Sequence, residues 1–429
     1  MKNYQTDELA APILLPASVT VAMADIASTM REGLLAMAVG AGLSVMKALM
    51  EDSVADICGP KSKHDTGRRA VRHGTEDGSV TLGGRRVGVR RPRVRATDGS
   101  GEMPVPAYDL FSSTELLSEM AMAKMMAKLS TRRYRAGLEP VGTAVENDAR
   151  STSKSAVSRR FVEATETALA ELLARDLSGL DLVALMLDGV HFADHLVVVA
   201  LGIAIDGTKH PLALVEGSTE NSTLVTDLLV GLRQRGLDVS RPLLVVIDGA
   251  KALSAAVRAV FDHPVIARCQ LHKIRNVTAK LPQALGATVA KKMRAAYRMD
   301  DALSAQAALE DLARQLAKSH PGAAGSLREG LVETLTVMRL GVPPTLARTL
   351  RTTNPVESMI EICRDHSTNV KRWRDGQMAL RWCAAGLVEA GKQFRKVNGF
   401  LHLPALRRAL DAEVAKLAVT PPEYDQEVA

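Results

Sequence analysis

The rhythm of apolar and polar positions changes three times along this chain. Between residues 21 and 58 apolar side chains recur at helical spacing without a proline, and Gly59 and Pro60 close the stretch. Its longest apolar run, 34–46, is shorter than the roughly 20 residues a bilayer requires and reads as a buried or dimer-forming helix. Helical spacing returns over 115–175: residues 116–129 are rich in Met and Ala, 130–134 interrupt them, and 153–161 open a further helix. From Leu182 the period shortens to that of strands. Strands are expected over 182–187, 196–205, 211–215, 243–247 and 265–269, with a hairpin at Asp206 and Gly207 and helices over 223–235 and 250–261. Residues 281–342 are helical by pattern, bounded by Pro282 and by Pro343 and Pro344. Helical patterns follow at 352–364 and 370–392, and the polar tail beyond Thr420 is expected to be loose. No internal repeat is visible.

Two of these strands are unbroken apolar runs that lead to an acid and a glycine: LVALMLDG at 182–189 and LLVVIDG at 243–249. Such runs are buried strands carrying one acid out at the tip, here Asp188 and Asp248. A single strand-end aspartate is usually a turn residue. Two on neighbouring core strands make a cation site if a third oxygen ligand joins them, since Mg²⁺ takes oxygen ligands. Glu357 is the candidate, on the helix after the 281–342 stretch. The sequence Asn354-Pro355-Val356-Glu357 also reads as a capping box, a role that needs no metal. Glu361, one turn on, is the alternative ligand, and Arg364 shares that face and could reach a phosphate. Cys269 and His272 are spaced like half a zinc site. No second pair lies nearby, which favours packing or hydrogen bonding beside the acids. Residues 386–393, GLVEAGKQ, imitate a phosphate loop, but Gln393 replaces the required Ser or Thr and no strand precedes it. The ATPase reading fails there.

Composition narrows the partner. A chain of 429 residues with 46% apolar side chains is expected to form two or three domains with real cores. Residues 1–20 lack the basic-then-apolar pattern of a leader, and four scattered cysteines suit a reducing cytoplasm without a disulfide framework. A net charge of +7 points to a polyanion, and only 3% aromatic residues argue against base stacking and for duplex held by its phosphates. Eleven basic residues against three acids between 61 and 95 exceed the net charge of the whole chain. Within that segment VTLGGRRVGV, 80–89, reads as a hairpin turning at Gly83 and Gly84. Arg85, Arg86, Arg90, Arg91 and Arg93 then form either a phosphate-contacting ribbon or a solvated basic face. The helix from Ser153 carries Arg159 and Arg160 behind serine hydroxyls. It reads equally as a helix-turn-helix recognition helix or an ordinary capped surface helix.

The order of elements, three hairpin-linked strands and then strands alternating with helices, is that of ribonuclease-H-like domains. The residues go further and resemble the Mutator-type transposases of bacterial insertion sequences, from about Gly67 to about Leu406. The resemblance is most specific in MLDGVHF (186–192), EGSTEN (216–221), VVIDGAKAL (245–253), RCQLHKIRN (268–276) and TTNPVES (352–358). It implies an Asp-Asp-Glu metal triad at Asp188, Asp248 and Glu357, with Cys269 and His272 as the family's Cys-x-x-His feature and Arg364 as the basic residue after the Glu. Pro355 departs from the aliphatic or small residue expected there.

The implied chemistry uses two Mg²⁺ (or Mn²⁺) ions. Hydrolysis at the element's end frees a 3′-hydroxyl, which is then joined to target DNA without a covalent protein–DNA link. The expected fold is an α/β core, a ribonuclease-H-like mixed sheet with flanking helices interrupted by an all-α insertion. A mainly helical N-terminal DNA-binding region with a short basic β-hairpin precedes it. In order, 1–110 and 111–180 bind DNA, the first also serving oligomerisation and the second helix-turn-helix-like. Residues 181–282 and 346–410 form the catalytic core around the insertion 283–345, and 411–429 are a loose tail. The expected partners are double-stranded DNA, both terminal inverted repeats and target, and further copies of the chain, at least a dimer on DNA. No membrane or nucleotide cofactor is expected, and the location is the bacterial cytoplasm, on the nucleoid when bound. Two rival functions are a transposase-derived DNA-binding regulator without catalysis and a structure-selective ribonuclease-H-like nuclease. The complete acid set opposes the first, and the long insertion with its N-terminal region disfavours the second.

Overall fold

A computed structural model describes residues 17–63, 67–217 and 221–419, the side chains of 17–24 and 417–419 excepted. The chain divides into two units after Phe161, with residues 126–128 belonging to the second.

In the first unit, two glycines set the layout. Gly83 and Gly84 both have positive φ, 54° and 76°, the conformation of a two-residue turn that matches strand twist. They join β1 (Ala70–Leu82) to β2 (Arg85–Ala96), and β3 (Glu102–Met103) pairs with β2. The ribbon is longer than the hairpin expected over 80–89. Oppositely charged cross-strand partners, Glu76 with Arg91 and Asp77 with Arg90, carry the ladder onward.

Helix α1 (Ala17–Cys58) spans 42 residues. Val54 and Cys58 pack against Ala70, Val94 and Val105. The opposite face carries Ile26, Met30, Leu34, Met37 and Val45 in solvent, which goes against the first of the two expectations, a buried helix, and not against the second, a dimer-forming one. The run at 34–46 also belongs to a longer apolar stretch than its sequence suggested. Asp25–Cys58 is long and apolar enough, by length and composition alone, to cross a membrane. The glycines and serine that break the run on paper stay within the helix. α2 (Pro106–Ser112), α3 (Glu115–Met126), α4 (Thr143–Asp148) and α5 (Lys154–Ala174) follow. Ser153 starts α5 as a cap, its hydroxyl oxygen accepting the Ala156 N–H at 3.3 Å.

The second unit is built on a mixed sheet in the order β6-β5-β4-β7-β8. β4 (Leu182–Phe192), β5 (His195–Ala204) and β6 (Lys209–Gly217) form an antiparallel meander. β7 (Leu243–Ile247) and β8 (Pro264–Arg268) run parallel to β4, reached through α6 (Ser222–Gln234) and α7 (Lys251–Val260). One face, with Leu185, Leu187, Val245 and Ile247, packs on Val225, Leu229, Leu253 and Val257 of α6 and α7.

After β8 come α8 (Gln270–Thr278), α9 (Gln283–Ala296), α10 (Ala302–Ala317), α11 (Pro321–Arg328), α12 (Leu331–Thr334) and α13 (Thr336–Arg339). Val289, Met293, Leu309, Leu312 and Leu327 give this insertion a core of its own. α14 (Pro344–Leu350), α15 (Asn354–His366), α16 (Gly376–Gln393) and α17 (Leu403–Val419) complete the chain. α15 and α16 bury Val356, Met359, Ile360, Ala379, Cys383 and Leu387 on the second face of the sheet. The tail expected from 411 is helical to Val419, because Leu403, Leu406 and Leu410 anchor α17 in that same core. The residues beyond Thr420 lie outside those described.

Gly84→Ala tests the turn. Besides the positive φ, its Cβ would stand 2.8 Å from Leu138 Cδ2, so a loss of about 2 kcal/mol is expected in urea unfolding.

Candidate active site

Strand alternation places the two aspartates. Ala184 and Met186 of β4, and Leu244 and Val246 of β7, all lie in the core layer that α15 covers. Asp188 and Asp248 continue these two series on the same face. The strands pair in parallel with Met186 opposite Val246. Asp188 lies two residues beyond that last pair and Asp248 directly after β7, close enough for its charge to act on Asp188. Asp188 is not at a strand tip, as expected, but inside β4. β5 keeps pairing with β4 to Phe192, whereas β7 stops at Ile247. The acid is exposed to the site by its neighbour's ending, not its own. Asp248 keeps a turn role on one oxygen, Oδ1 accepting the Ala250 N–H at 2.8 Å. Gly249 makes that turn at φ 111°, with the Arg268 side chain packed against it.

Helix α15 brings the third carboxylate. The Glu357 N–H donates to the Thr353 carbonyl at 2.9 Å, so Thr353 is the cap, not Asn354. This overturns the capping-box reading of Glu357. The Thr353 N–H points instead at Cys269 Sγ, 3.4 Å away, and Glu357 Oε1 accepts the Thr353 hydroxyl at 2.7 Å. That hydroxyl also lies 3.3 Å from Cys269 Sγ and 3.4 Å from His272 Nδ1. Fully buried Thr353 thus joins Cys269, His272 and Glu357. Its sequence signal was the position one before the Asn-Pro pair, hidden by Asn354, which looked the better cap.

The electrostatics are those of crowded acids. Burial, with Asp248 and Glu357 close by, raises the Asp188 carboxyl from its ordinary 3.8 to about 6, although His272 acts against the shift. A hydrogen bond to Cys269 raises His272 to about 9, against the effect of burial, and the nearby acids add to the rise. Burial pushes the Cys269 thiol up, but its hydrogen bonds with His272 and Thr353 outweigh this and hold it below the ordinary value. His272 Nε2 stands 3.8 Å from Glu357 Oε1, a cationic neighbour for the acids.

Two donor sets share Glu357. Ligand atoms of Cys269, His272 and Glu357 lie within 4.8 Å of one another, a soft set suited to zinc. Asp188, Asp248 and Glu357 are all oxygen donors, suited to a hard divalent ion. The burial of Asp188, only partly offset by His272 and the Gly189 N–H, fits an oxygen-seeking cation, whereas Cys269 and His272 already share a hydrogen bond.

Other expected residues lie elsewhere. The Glu361 side chain is 74% exposed and stands 3.9 Å from Arg364, itself half exposed; neither is drawn into the acid cluster. Arg85 is buried, held by Glu146 at 2.5 Å and by the Gly83 carbonyl. Arg86 bonds Ser79, Thr81 and the Ser112 carbonyl. Arg91 and Arg93 share Glu76 and Glu102, and Arg91 stacks over Tyr108. Arg90 is 64% exposed beside Asp77. Arg160 donates to the Ser151 carbonyl, and Arg159 is exposed.

The acids thus sit where β7 stops in a mixed α/β sheet, in a chain of net charge +7. Residues 18–397 match the family described as Transposase, Mutator family. The chain is 32% identical over 243 residues to a transposase for insertion sequence element IS6120 of Mycolicibacterium smegmatis, covering 55% of this chain and 73% of that protein. It is 27% identical over 372 residues to the transposase for ISRM5 of Rhizobium meliloti, covering 85% and 89%. With the transposase for IS256 in transposon Tn4001 of Staphylococcus aureus it shares 26% over 268 residues, or 60% and 65%. The chain belongs to the Mutator family of transposases.

Because Asp188 keeps its proton to about pH 6 when folded but ionises near 3.8 when unfolded, metal-free stability falls as pH rises from about 4 to 6. Asp188→Asn removes that fall and is expected to stabilise the metal-free protein at pH 7.5 by up to about 3 kcal/mol in urea unfolding. Thr353→Val strips the donor from Glu357 and is expected to cost about 1–2 kcal/mol. Thr353→Ser, which keeps the hydroxyl, should cost clearly less in the same assay.

Proposed function

We propose that this transposase cuts and joins DNA with Asp188, Asp248 and Glu357 as the ligands of two Mg²⁺ (or Mn²⁺) ions. The observation that supports the reading is the parallel β4–β7 pairing, with Asp188 two residues past its last pair and Asp248 directly after β7, next to a core face that α15 covers. The ions, when bound, supply the charge neutralisation and activation that in-line phosphoryl displacement needs. The chain's own residues do the rest. Asp188 is held within β4, and Asp248 follows β7 directly, held in its turn by the Ala250 N–H. Glu357 is aimed by the Thr353 hydroxyl, and His272 keeps a positive charge beside the acids before metal arrives. Arg364, exposed on the same helix, is available to a phosphate further out.

The substrates in this reading are the terminal inverted repeats and target DNA, and the products are a freed 3′-hydroxyl and then a joined strand. The order and sense of the sheet support a ribonuclease-H-like core, with 181–282 and 346–410 around the insertion 283–345. Residues 1–110 and 111–180 bind DNA, Arg90 and Arg159 being the most accessible of the expected arginines. The exposed apolar stripe of α1 supports self-association, at least as a dimer on DNA. The proposed location is the bacterial cytoplasm, on the nucleoid.

A labelled repeat end incubated with Mg²⁺ or Mn²⁺ tests the site. Asp188→Asn and Glu357→Gln should each lower nicking and strand transfer by more than the roughly 100-fold of an outer-shell loss, with repeat binding intact. Glu361→Gln should stay near wild type. Activity that survives Glu357→Gln but not Glu361→Gln would show the third ligand to be misassigned. A wild type that binds repeats and never cleaves would point to the regulator instead.

A further inference from the structure

Next to the carboxylate cluster a second cleft, about 280 Å³ in volume, opens between the insertion and the chain entering α15. The two share a wall. Gln270 and Thr352 line the cleft while their neighbours Cys269 and Thr353 line the cluster, and the Gln270 N–H donates to the Arg351 carbonyl at 3.0 Å.

Four arginines converge on this cleft, Arg294 and Arg298 from the end of α9 and Arg348 and Arg351 from the end of α14. No acidic residue lines it. Among the described residues none of the four has a carboxylate partner or a side-chain hydrogen bond. Some other arginines of the same unit are paired, Arg258 and Arg268 with Glu333 and Arg241 and Arg407 with Asp181. Arg351 feels both burial and the charges of Arg348 and Arg298, which push its pKa down.

Helix C-termini attract cations, and that alone would place one arginine at each helix end. The two ends together carry only about one negative charge, which leaves roughly three of the four positive charges unbalanced. Two hydroxyls buried in the wall of the cleft lack a partner among the described residues. Thr352 is 6% exposed and its hydroxyl has no hydrogen-bond partner. Tyr297, 5% exposed, has its hydroxyl near Thr334 but within hydrogen-bonding geometry of no group. Buried hydroxyls left without a partner are uncommon.

We propose that this cleft binds a backbone phosphate of the substrate DNA strand, close to the phosphate that reacts at the carboxylates. The ligand is a phosphodiester and not a nucleobase, because Tyr297 is the sole aromatic lining residue and its ring is buried, leaving nothing on which to stack a base. The contact is therefore independent of sequence and serves repeat and target DNA alike. This inference rests on the assignment of the acids as the DNA-cutting site.

The test uses the full chain and a labelled repeat-end duplex. Arg298→Ala with Arg348→Ala, both at exposed positions, should keep the wild-type melting temperature and weaken binding about tenfold or more. The slope of log affinity against log salt should become shallower by about two. Replacing both by Lys, which keeps the charge, should restore most of the affinity. An uncharged methylphosphonate placed in turn at each position near the cut should weaken wild-type binding at one or two positions and add nothing in the double Ala variant. Wild-type affinity and slope in the Ala variant, or equal methylphosphonate sensitivity in both proteins at every position, would overturn the proposal. So would inorganic phosphate or a mononucleotide stabilising the wild type through these arginines while DNA binding ignores them. Asp188→Asn, run alongside, separates the two ideas. If it still cleaves, the acid assignment fails while the interference pattern still decides the cleft.

Discussion

The arrangement of this protein follows from holding like charges together. The charges of Asp248 and Glu357 both act on the buried Asp188 carboxyl and raise its pKa, as like charges held close do. Nothing local would bring such groups together. The parallel pairing of β4 with β7 does so because every other residue of both strands is buried in apolar layers. A one-residue slip would turn both hydrophobic sets to the wrong faces. The register is fixed by core packing, and the acids are carried along.

The helical insertion belongs to the same scheme. It follows β8 directly, and buried polar bonds tie it down. Thr336 Oγ1 donates to the Ile266 carbonyl at 2.8 Å, and Gln270 Nε2 to the Thr334 carbonyl at 2.9 Å. Lys273, almost wholly buried, donates to the Ser326 carbonyl at 2.8 Å. Leaving such buried groups unpaired would be costly, so the bonds hold the insertion in one position against the sheet. Cys269 and His272 lie at that junction, where they meet Thr353 and, with Glu357, form a compact set of possible metal ligands.

The basic ribbon shows how charge in a sequence differs from charge on a surface. The segment 61–95 reads as a block of arginines, but folding matches most of those on β2 with acids or carbonyls. Glu146 comes from 61 residues away along the chain, and Glu102 from a strand of only two residues. The reverse holds beside the insertion, where Arg294, Arg298, Arg348 and Arg351 are scattered in sequence and converge in space.

The alternation of apolar residues, the turn glycines and the two acids before Gly189 and Gly249 were legible in the sequence, because period, turn chemistry and burial are local properties. So were the mixed α/β character and the helical run between Pro282 and Pro343. Tertiary structure decided that Asp188 lies inside a strand and not at its tip, since that depends on where the neighbouring β7 stops. It moved the cap of α15 from Asn354 to Thr353, because Cys269, more than 80 residues away, takes the Thr353 N–H. It also separated the arginines that are neutralised from those that are not. Local pattern fixes which face a residue occupies, but only the folded chain fixes which distant charge or hydroxyl stands opposite.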